Sequence, residues 1–413
     1  MFSSKIPIIA VCVFVLTSSV LGCRKTVEEI SRPENIQSLR TVAYDRETYV
    51  DLARRWKEYY TVFPSEDAYG NWMCAARYAK DPDYKELLDE GLSRYPANPV
   101  LLFLSGNIRR GAVDNTEGMQ YLERAVAMDP SFLDPWFALI IHYMQRDEME
   151  KMDVALRHLL EWNAVSEVIM DYSYNMLAGL RDNAILITNG DNDTYPGWIL
   201  TRLMNYRPDV QIVNRSLLNF EWYPLEVIRK GVPRFITSDE LNELRTVTEP
   251  PFCDTLIVRL IKAAEREKRP VYFASTLGSS RTLDPFRESG IVLGLATLVS
   301  ESPVSHSVEI NHIAKIWIDE YRTVGLDGWG IQYVVDGHSD KWMVYNYAAS
   351  LYQMLDSLEV YAPMYRLDMF HWYCDHIVDI MPQQHYDSMN QIWCRFSDIP
   401  EIDSWCREKG YLE

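Results

Sequence analysis

The strongest candidates for chemistry in this chain are six consecutive polar residues, Asn189, Gly190, Asp191, Asn192, Asp193 and Thr194. Two carboxylates with amide and hydroxyl oxygens beside them suit a hard cation such as Mg²⁺ or Ca²⁺, so Asp191 and Asp193 form a candidate metal site. The same groups also suit the hydroxyls of a sugar, with Tyr195 and Trp198 near by for the sugar ring to stack on. A structural role is the third alternative, because Asn-Gly favours a turn and Asp193 or Thr194 can cap a helix. The sequence leaves all three alternatives open.

The loop that holds these residues lies between two predicted elements. An apolar, Ile-rich run at 184–188 predicts a buried parallel strand before the loop. A helix then follows, with Pro196 in its first turn and apolar residues at helical spacing as far as Arg207, and a second strand covers 210–214. This is one βαβ unit, and ligands of open α/β sheets bind where the first loop meets the helix N-terminus. We therefore expect residues 189–194 to form a ligand site.

A second polar group is expected at the same edge of the sheet. Residues 254–268 predict an amphipathic helix that leads into a β-branched and aromatic strand at Val271–Ala274. Ser275 and Thr276 follow that strand, and the carboxyl ends of parallel strands share one edge. Both polar groups should therefore face the same solvent region.

The order of these groups is similar to that in haloacid-dehalogenase-like phosphatases, which place Asp-x-Asp after one strand and Ser or Thr after a later one. In such an enzyme Asp191 would be the nucleophile and Asp193 the acid or base. The similarity then ends, because Thr194 directly follows the second Asp and no matching downstream Lys or Asp-Asp pair appears. The alternative function is an enzyme that acts at the loop of Asp191 and Asp193, as a metal-assisted hydrolase of a phosphorylated or glycosylated substrate.

Several words of this region resemble one known family. They are TNGDNDTYP at 188–196, RPDVQIVNRSLLN at 207–219, EWY at 221–223, RPVYFA at 269–274 and GL at 294–295. The words resemble the soluble part of bacterial multi-spanning membrane proteins related to protein O-mannosyl-transferases. The resemblance covers 182–300, with helical repeats on either side. The transferase-bearing membrane half of that family has no counterpart in this chain, so the resemblance implies a shared domain and does not imply glycosyl transfer.

The composition and charge narrow the class of protein. A chain of 413 residues with 47% hydrophobic residues can bury a sizeable core in two or three domains. The net charge of −18 argues against a nucleic-acid partner, because binding to a phosphate backbone depends on clustered Lys and Arg. We therefore expect a folded protein that does not bind nucleic acid.

The N-terminus has the pattern of a bacterial lipoprotein signal. Residues 1–22 combine Lys5, a short apolar run and a small-residue approach to a cleavage site. The word Val-Leu-Gly-Cys that ends at Cys23 resembles the lipobox, which implies lipidation of that thiol and membrane attachment through acyl chains. The alternatives are a transmembrane anchor or an ordinary signal peptide, although the apolar run is short for a bilayer. We expect an exported lipoprotein of the cell envelope, on its periplasmic or cell-surface side.

Five cysteines remain after removal of the signal peptide and lipidation of Cys23: Cys74, Cys253, Cys374, Cys394 and Cys406. Their wide spacings offer no C-x-x-C pattern for a metal or for redox chemistry. Either one disulfide forms among Cys374, Cys394 and Cys406, or these residues are buried free thiols.

Residues 47–165 show a helical pattern that repeats. Pro64, Pro96 and Pro130 are 32 and 34 residues apart, which is close to the tetratricopeptide period. We expect tetratricopeptide-like repeats, which either bind a protein partner or brace the next domain.

The expected fold class is α/β plus all-α, with a tetratricopeptide-like (TPR-like) helical solenoid, a central Rossmann-like parallel sheet domain and C-terminal helical hairpins. The predicted divisions are a signal peptide (1–22), a tether (23–46), the repeats (47–165), the α/β domain (166–305) and a helical region (306–413). The expected function is an envelope-anchored binding or assembly module, linked to cell-envelope glycans or to protein glycosylation, with a glycan or phospho-sugar as its ligand.

Overall fold

The computed structural model describes residues 30–108, 115–247, 252–299, 306–327, 338–381 and 383–413. The predicted signal peptide (1–22), the predicted lipidation site Cys23 and the first part of the predicted tether lie outside the described residues. Helix accounts for 66% of the structure.

The first half of the described chain is helical. Its helices are α1 (Arg46–Val62), α2 (Glu66–Ala79), α3 (Tyr84–Arg94), α4 (Pro99–Ile108), α5 (Thr116–Met128), α6 (Asp134–Gln145), α7 (Met149–Glu161) and α8 (Glu167–Ala178). Successive helices pack in pairs, α1 on α2, α4 on α5 and α6 on α7. The assignment of these helices to tetratricopeptide-like repeats stays a prediction.

Local signals in the sequence place the ends and the contacts of these helices. The side chain of Asp45 accepts a hydrogen bond from the backbone N–H of Thr48 at 2.7 Å, and so caps the N-terminus of α1. The close approach of α4 to α5 requires a residue without a side chain at Gly106. A Cβ there would lie 2.6 Å from Cγ of Leu122 and 2.8 Å from the carbonyl oxygen of Gly118.

The sheet begins after α8. Its strands are β1 (Ile185–Thr188), β2 (Gln211–Asn214), β3 (Val271–Ala274), β4 (Ile291–Leu293) and β5 (Ala296–Val299), in the spatial order β2-β1-β3-β5-β4. β1 pairs in parallel with both β2 and β3, with Ile185 opposite Gln211 on one side and Val271 on the other. β5 is antiparallel to β3 and to β4. The sheet is therefore small and mixed.

The prediction of a Rossmann-like parallel sheet domain is wrong. Only β1, β2 and β3 run in parallel, whereas β4 and β5 form an antiparallel hairpin. The physical reason is the short connection between them, because a two-residue turn cannot carry the crossover that parallel strands need. Gly294 in this turn has φ +67°, and a Cβ at this position would clash with Oη of Tyr321. The fold is mainly helical, with this sheet at its centre.

Further helices surround and follow the sheet. They are α9 (Asp191–Trp198), α10 (Tyr223–Arg229), α11 (Ser238–Val247), α12 (Phe252–Arg266), α13 (Asp284–Ser289), α14 (His306–Asp319), α15 (Val324–Asp327), α16 (Ser339–Tyr361), α17 (Arg366–His376), α18 (Gln383–Gln391) and α19 (Pro400–Glu408). A five-residue π-helix, Ile199–Leu203, continues α9. In the part of the chain that the structure describes, none of these helices combines the length and the apolar character that crossing a membrane requires.

A disulfide joins Cys394 to Cys406, with 5.8 Å between their Cα atoms. It ties the 3₁₀ turn Ile392–Phe396 to α19. Of the two alternatives for the cysteines, one disulfide among the last three is therefore confirmed, and Cys374 is free.

Residues 30–45, which we name the N-terminal segment, lie against the helices although the sequence predicts a tether there. Arg32 pairs with Asp67 at 2.8 Å, and the backbone N–H of Ile36 donates to Oδ1 of Asn71 at 2.9 Å. Val42 forms an antiparallel bridge with His338, which precedes α16. The N-terminal segment is thus attached at several points to separate parts of the fold.

Candidate functional site

The loop 189–194 lies at the carboxyl edge of the sheet, where the βαβ pattern predicts it. β1 ends at Thr188, and α9 begins at Asp191. β3, which is parallel to β1, ends at Ala274, and the hydroxyl of Thr276 donates a hydrogen bond to the carboxylate of Asp193. The structure therefore brings together two polar groups that are 83 residues apart in the sequence.

Asp193 holds the loop in its shape. Its Oδ2 accepts a hydrogen bond from the backbone N–H of Asn189 at 2.7 Å, and its Oδ1 accepts one from the N–H of Gly190 at 3.0 Å. Burial raises the pKa of this carboxyl above its ordinary value, although the hydrogen bonds from Thr276 and from the two backbone N–H groups act in the opposite direction. Asp193 lies in the first turn of α9, and its side chain therefore caps the backbone N–H groups that precede this helix.

Thr194 lies behind the loop and does not line the site. Its Oγ1 is 2.7 Å from Oγ1 of Thr188 and accepts a hydrogen bond from Nδ2 of Asn214 at 2.9 Å. Asn214, the last residue of β2, also donates to the carbonyl oxygen of Gly190 at 3.2 Å. Asn214 is not among the site residues predicted from the sequence, although a buried amide at the end of a predicted strand is a signal that indicates it.

Asp191 pairs with a guanidinium from a distant part of the chain. Its Oδ2 is 2.7 Å from Nη2 of Arg40, while Nη1 of Arg40 is 2.8 Å from Oδ1 of Asp134 on α6. The guanidinium also lies 4.2 Å from the centre of the Phe137 ring. Burial by itself lowers the pKa of Arg40, but the two carboxylates outweigh it and raise that pKa above its ordinary value. Arg40 therefore stays charged and fixes Asp191.

A cavity of about 470 Å³ opens at this loop, and we name it the loop cavity. Five residues of the loop, 189–193, line it. The other lining side chains include Arg40, Arg77, Tyr78, Phe103, Asn107 and Thr276. The wall is therefore a mixture of planar polar groups and aromatic rings.

Arg77 is held in the wall of the loop cavity by neutral groups. With the Asn107 amide oriented so that its oxygen faces the guanidinium, that oxygen accepts hydrogen bonds from Nη2 and Nη1 of Arg77, at 2.6 and 3.0 Å. The guanidinium carbon lies 5.2 Å from the ring centre of Tyr78 and 5.8 Å from that of Phe103. In contrast to Arg40, Arg77 has no carboxylate within ion-pair distance among the described residues. Arg77, Asn107 and Arg40 are not among the site residues predicted from the sequence.

The prediction that Tyr195 and Trp198 offer their rings to a ligand at this loop is wrong. Tyr195 is buried, donates its hydroxyl to the carbonyl oxygen of Phe137 at 2.9 Å and packs edge-on against Trp198. Trp198 lines a different cavity of about 360 Å³. Both side chains lie on a face of α9 that is turned away from the loop. The apolar spacing alone does not determine which face of the helix is turned toward the loop. The aromatic rings of the loop cavity are those of Tyr78 and Phe103.

The predicted metal site does not fit the observed hydrogen bonds. The Asp193 oxygens face N–H and O–H donors, and one oxygen of Asp191 faces a guanidinium. A Mg²⁺ or Ca²⁺ ion requires several oxygens that are free to coordinate it. Within the described residues, no group of three His, Cys, Asp or Glu side chains is placed to hold a metal ion. We therefore assign no metal role to Asp191 and Asp193.

A second ion pair forms at the same edge of the sheet and is enclosed by the protein. Arg215 directly follows β2, and its Nε and Nη2 lie 2.7 and 2.8 Å from the two carboxylate oxygens of Asp254 on α12. The Asp254 side chain is 0% exposed and also accepts a hydrogen bond from the hydroxyl of Ser280. This pair joins β2, α12 and the loop after β3.

Comparison with known proteins gives one match, to part of the chain. Residues 169–232 match the family model described as TMEM260-associated domain 2. The matched residues contain α8, β1, the loop 189–194, α9, β2 and α10. No curated protein and no solved structure matches the chain. This part of the chain is therefore linked to the TMEM260 family, which is protein O-mannosyltransferase-like.

Proposed function

We propose that this chain is a binding module whose loop cavity holds a sugar or a sugar-containing ligand. The observation that carries the proposal is the row of planar polar groups in the wall, namely the amides of Asn107, Asn189 and Asn192 and the carboxylate of Asp191. Amides and carboxylates bind neighbouring hydroxyls with two hydrogen bonds in one plane. A sugar presents such hydroxyls around its ring.

The aromatic residues of the cavity support the same class of ligand. Tyr78 and Phe103 line it on the side of the helices, whereas the polar loop lines it on the side of the sheet. One face of a sugar ring carries C–H groups and packs on aromatic rings, while its edge carries hydroxyls. The volume of about 470 Å³ lies within the range of small-molecule sites.

The family match supports a connection with glycosylation. The TMEM260 family is protein O-mannosyltransferase-like, and the matched residues 169–232 include the polar loop itself. We propose that the ligand belongs to cell-envelope glycans or to the substrates or products of protein glycosylation. A protein partner at the helices of 47–165 is a further proposal, which nothing in the loop cavity requires.

We also propose that the chain is an exported bacterial lipoprotein of the cell envelope, anchored through Cys23. The lipobox-like word supports the anchor, and the Cys394–Cys406 disulfide supports export, because disulfides persist mainly in oxidising compartments. Metabolic labelling with an alkyne fatty acid tests the anchor. Label should enter the wild-type chain and be absent from Cys23→Ala, and equal label in both chains would refute lipidation at this residue.

A sugar-binding assay with two amide variants tests the main proposal. The full chain is titrated calorimetrically with a panel of neutral and acidic monosaccharides and disaccharides. Loss of two neutral hydrogen bonds, at about 0.5–1.5 kcal/mol each, should weaken binding about tenfold or more in the double variant Asn189→Ala/Asn192→Ala.

The matched control for this assay is Asn242→Ala. Asn242 is an exposed amide on α11, outside the loop cavity. It should leave the affinity unchanged. Absence of binding by every sugar of the panel would refute the proposed function, and so would equal affinity of the double variant and the wild-type chain.

A further inference from the structure

The two guanidinium groups in the wall of the loop cavity differ in their partners. Arg40 lies between the carboxylates of Asp134 and Asp191, which neutralise its charge within the protein. Arg77 lies beside the Asn107 amide and the rings of Tyr78 and Phe103, all of which are neutral. The charge of Arg77 is therefore the one in this wall that the described protein residues leave without a counter-charge.

The surroundings of Arg77 also fix its orientation. Two of its nitrogens share the single oxygen of Asn107, and the flat guanidinium lies within 6 Å of two aromatic ring centres. An arginine that is oriented in advance binds a carboxylate or a phosphate through two parallel hydrogen bonds with little loss of side-chain freedom. Its remaining N–H donors are available for such an anion, because each guanidinium carries five.

Ion pairing and hydrogen bonding weaken the repulsion that the carboxylates of the cavity exert on an anion beside Arg77. Arg40 is shared by Asp191 and Asp134, at 2.7 and 2.8 Å, and offsets part of their charge. The carboxylate of Asp193 accepts two backbone N–H groups and the hydroxyl of Thr276, so its lone pairs are directed into the protein. An acidic group that enters beside Arg77 therefore meets a positive group and neutral amides.

We infer that the ligand of the loop cavity is an acidic sugar, whose carboxylate or phosphate pairs with Arg77 while its hydroxyls contact the amides of Asn189 and Asn192. This inference rests on the proposed function and adds the charge of the ligand to it. A uronic acid and a sugar phosphate supply the same chemistry to the guanidinium, since both present two anionic oxygens at the spacing of its fork.

Matched pairs of sugars test the inference on the full chain. The pairs are glucuronate with glucose, galacturonate with galactose, glucose 1-phosphate with glucose and mannose 6-phosphate with mannose. At least one acidic member should bind about tenfold or more tightly than its neutral parent, as expected for a charge-assisted hydrogen bond. The carboxylate pairs and the phosphate pairs show which acid the site takes.

Variants of Arg77 show whether this residue causes the preference. Arg77→Gln should remove most of the acidic preference while neutral sugars still bind, and Arg77→Lys should retain part of it because the charge remains without the fork. Arg157→Gln is the matched control, since Arg157 is an exposed arginine on α7. It should behave like the wild-type chain.

Each result separates this inference from the proposal on which it rests. Equal affinities for acidic and neutral members would overturn the acidic ligand and leave sugar binding intact. A preference that survives in Arg77→Gln would overturn the role of Arg77. If no member of the panel binds, the proposed function fails and this inference fails with it.

Discussion

Two ion pairs at the same edge of the sheet have different environments. Arg215 and Asp254 are joined by two hydrogen bonds, and Asp254 is 0% exposed. Arg40 and Asp191 also form a short pair, but Asp191 is 38% exposed and lines the loop cavity. The first pair connects elements of the fold, whereas the second holds a polar side chain at a surface that a ligand can reach. Burial, and not the type of the residues, separates the structural pair from the candidate site.

The largest expected effect is a loss of stability when the buried ion pair of Arg215 and Asp254 is broken. Arg215→Ala leaves the Asp254 carboxylate buried without its partner, and should lower the free energy of unfolding by about 3–5 kcal/mol. Urea denaturation measures this loss. The double variant Arg215→Met/Asp254→Leu removes both charges and should recover most of it.

The pair between Arg202 and Asp153 is the control for this prediction. Its atoms are 2.7 Å apart, but the side chains are 31% and 36% exposed. Arg202→Ala should therefore change the free energy of unfolding by less than about 1 kcal/mol. A loss in Arg215→Ala no greater than that in Arg202→Ala would remove the contrast between buried and exposed pairs.

A smaller effect on stability, with a larger effect on binding, is expected at Arg40. Arg40→Ala should lower the free energy of unfolding by less than Arg215→Ala does, because solvent screens the partly exposed Asp191. The same change releases Asp191 from its position, so the affinity for the sugar found in the panel should fall about tenfold or more. Calorimetry measures both quantities. Unchanged affinity in Arg40→Ala would show that the N-terminal segment does not organise the site.

The smallest expected effect concerns Asp193 and Asp209, whose contributions to stability should change with pH in opposite directions. Burial raises the pKa of Asp193 above 3.8, so its contribution to stability is greatest below pH 3.8 and decreases as the pH rises through the raised value. The hydrogen bond from Arg207 lowers the pKa of Asp209, so its contribution is present above pH 3.8 and is lost as the pH falls through the lowered value.

Asparagine variants separate these two contributions. The free energy of unfolding of the wild-type chain minus that of Asp193→Asn should decrease with rising pH. The corresponding difference for Asp209→Asn should increase with rising pH. If both differences changed with pH in the same direction, burial would not be the cause of the raised pKa of Asp193.

The parts of the fold that depend on neighbours in the sequence were predictable. The strand predicted at 184–188 is observed at Ile185–Thr188, and the one at 210–214 is observed at Gln211–Asn214. Arg207 and Asp209, which are also close in the sequence, form an ion pair at 3.0 Å. A short apolar run between polar turns is enough to identify a buried strand.

The direction of the later strands was not predictable from the same kind of signal. The two strands of the hairpin are short and apolar, and this character does not distinguish parallel from antiparallel pairing. The length of the connection between the strands decides the direction, and Gly294 with its positive φ is the residue that marks the turn.

The loop of the candidate site was predictable from the sequence, whereas the two arginines of the cavity wall were not. The loop follows from the βαβ pattern, because the carboxyl edge of a parallel pair is fixed by topology. Arg40 contacts Asp134, which is 94 residues away, from a segment with no periodic pattern. Arg77 faces the cavity through the packing of α2 and α4, and no local spacing in the sequence determines that contact.

The contacts of the N-terminal segment link residue 30 to the wall of the loop cavity. A pull directed outward from residue 30 is carried first by the pair of Arg32 and Asp67 and by the bond from Ile36 to Asn71. The load then reaches Arg40, whose guanidinium clamps Asp191 in the cavity wall. Tension on this end of the chain would therefore reach the wall of the loop cavity through Arg40 and Asp191.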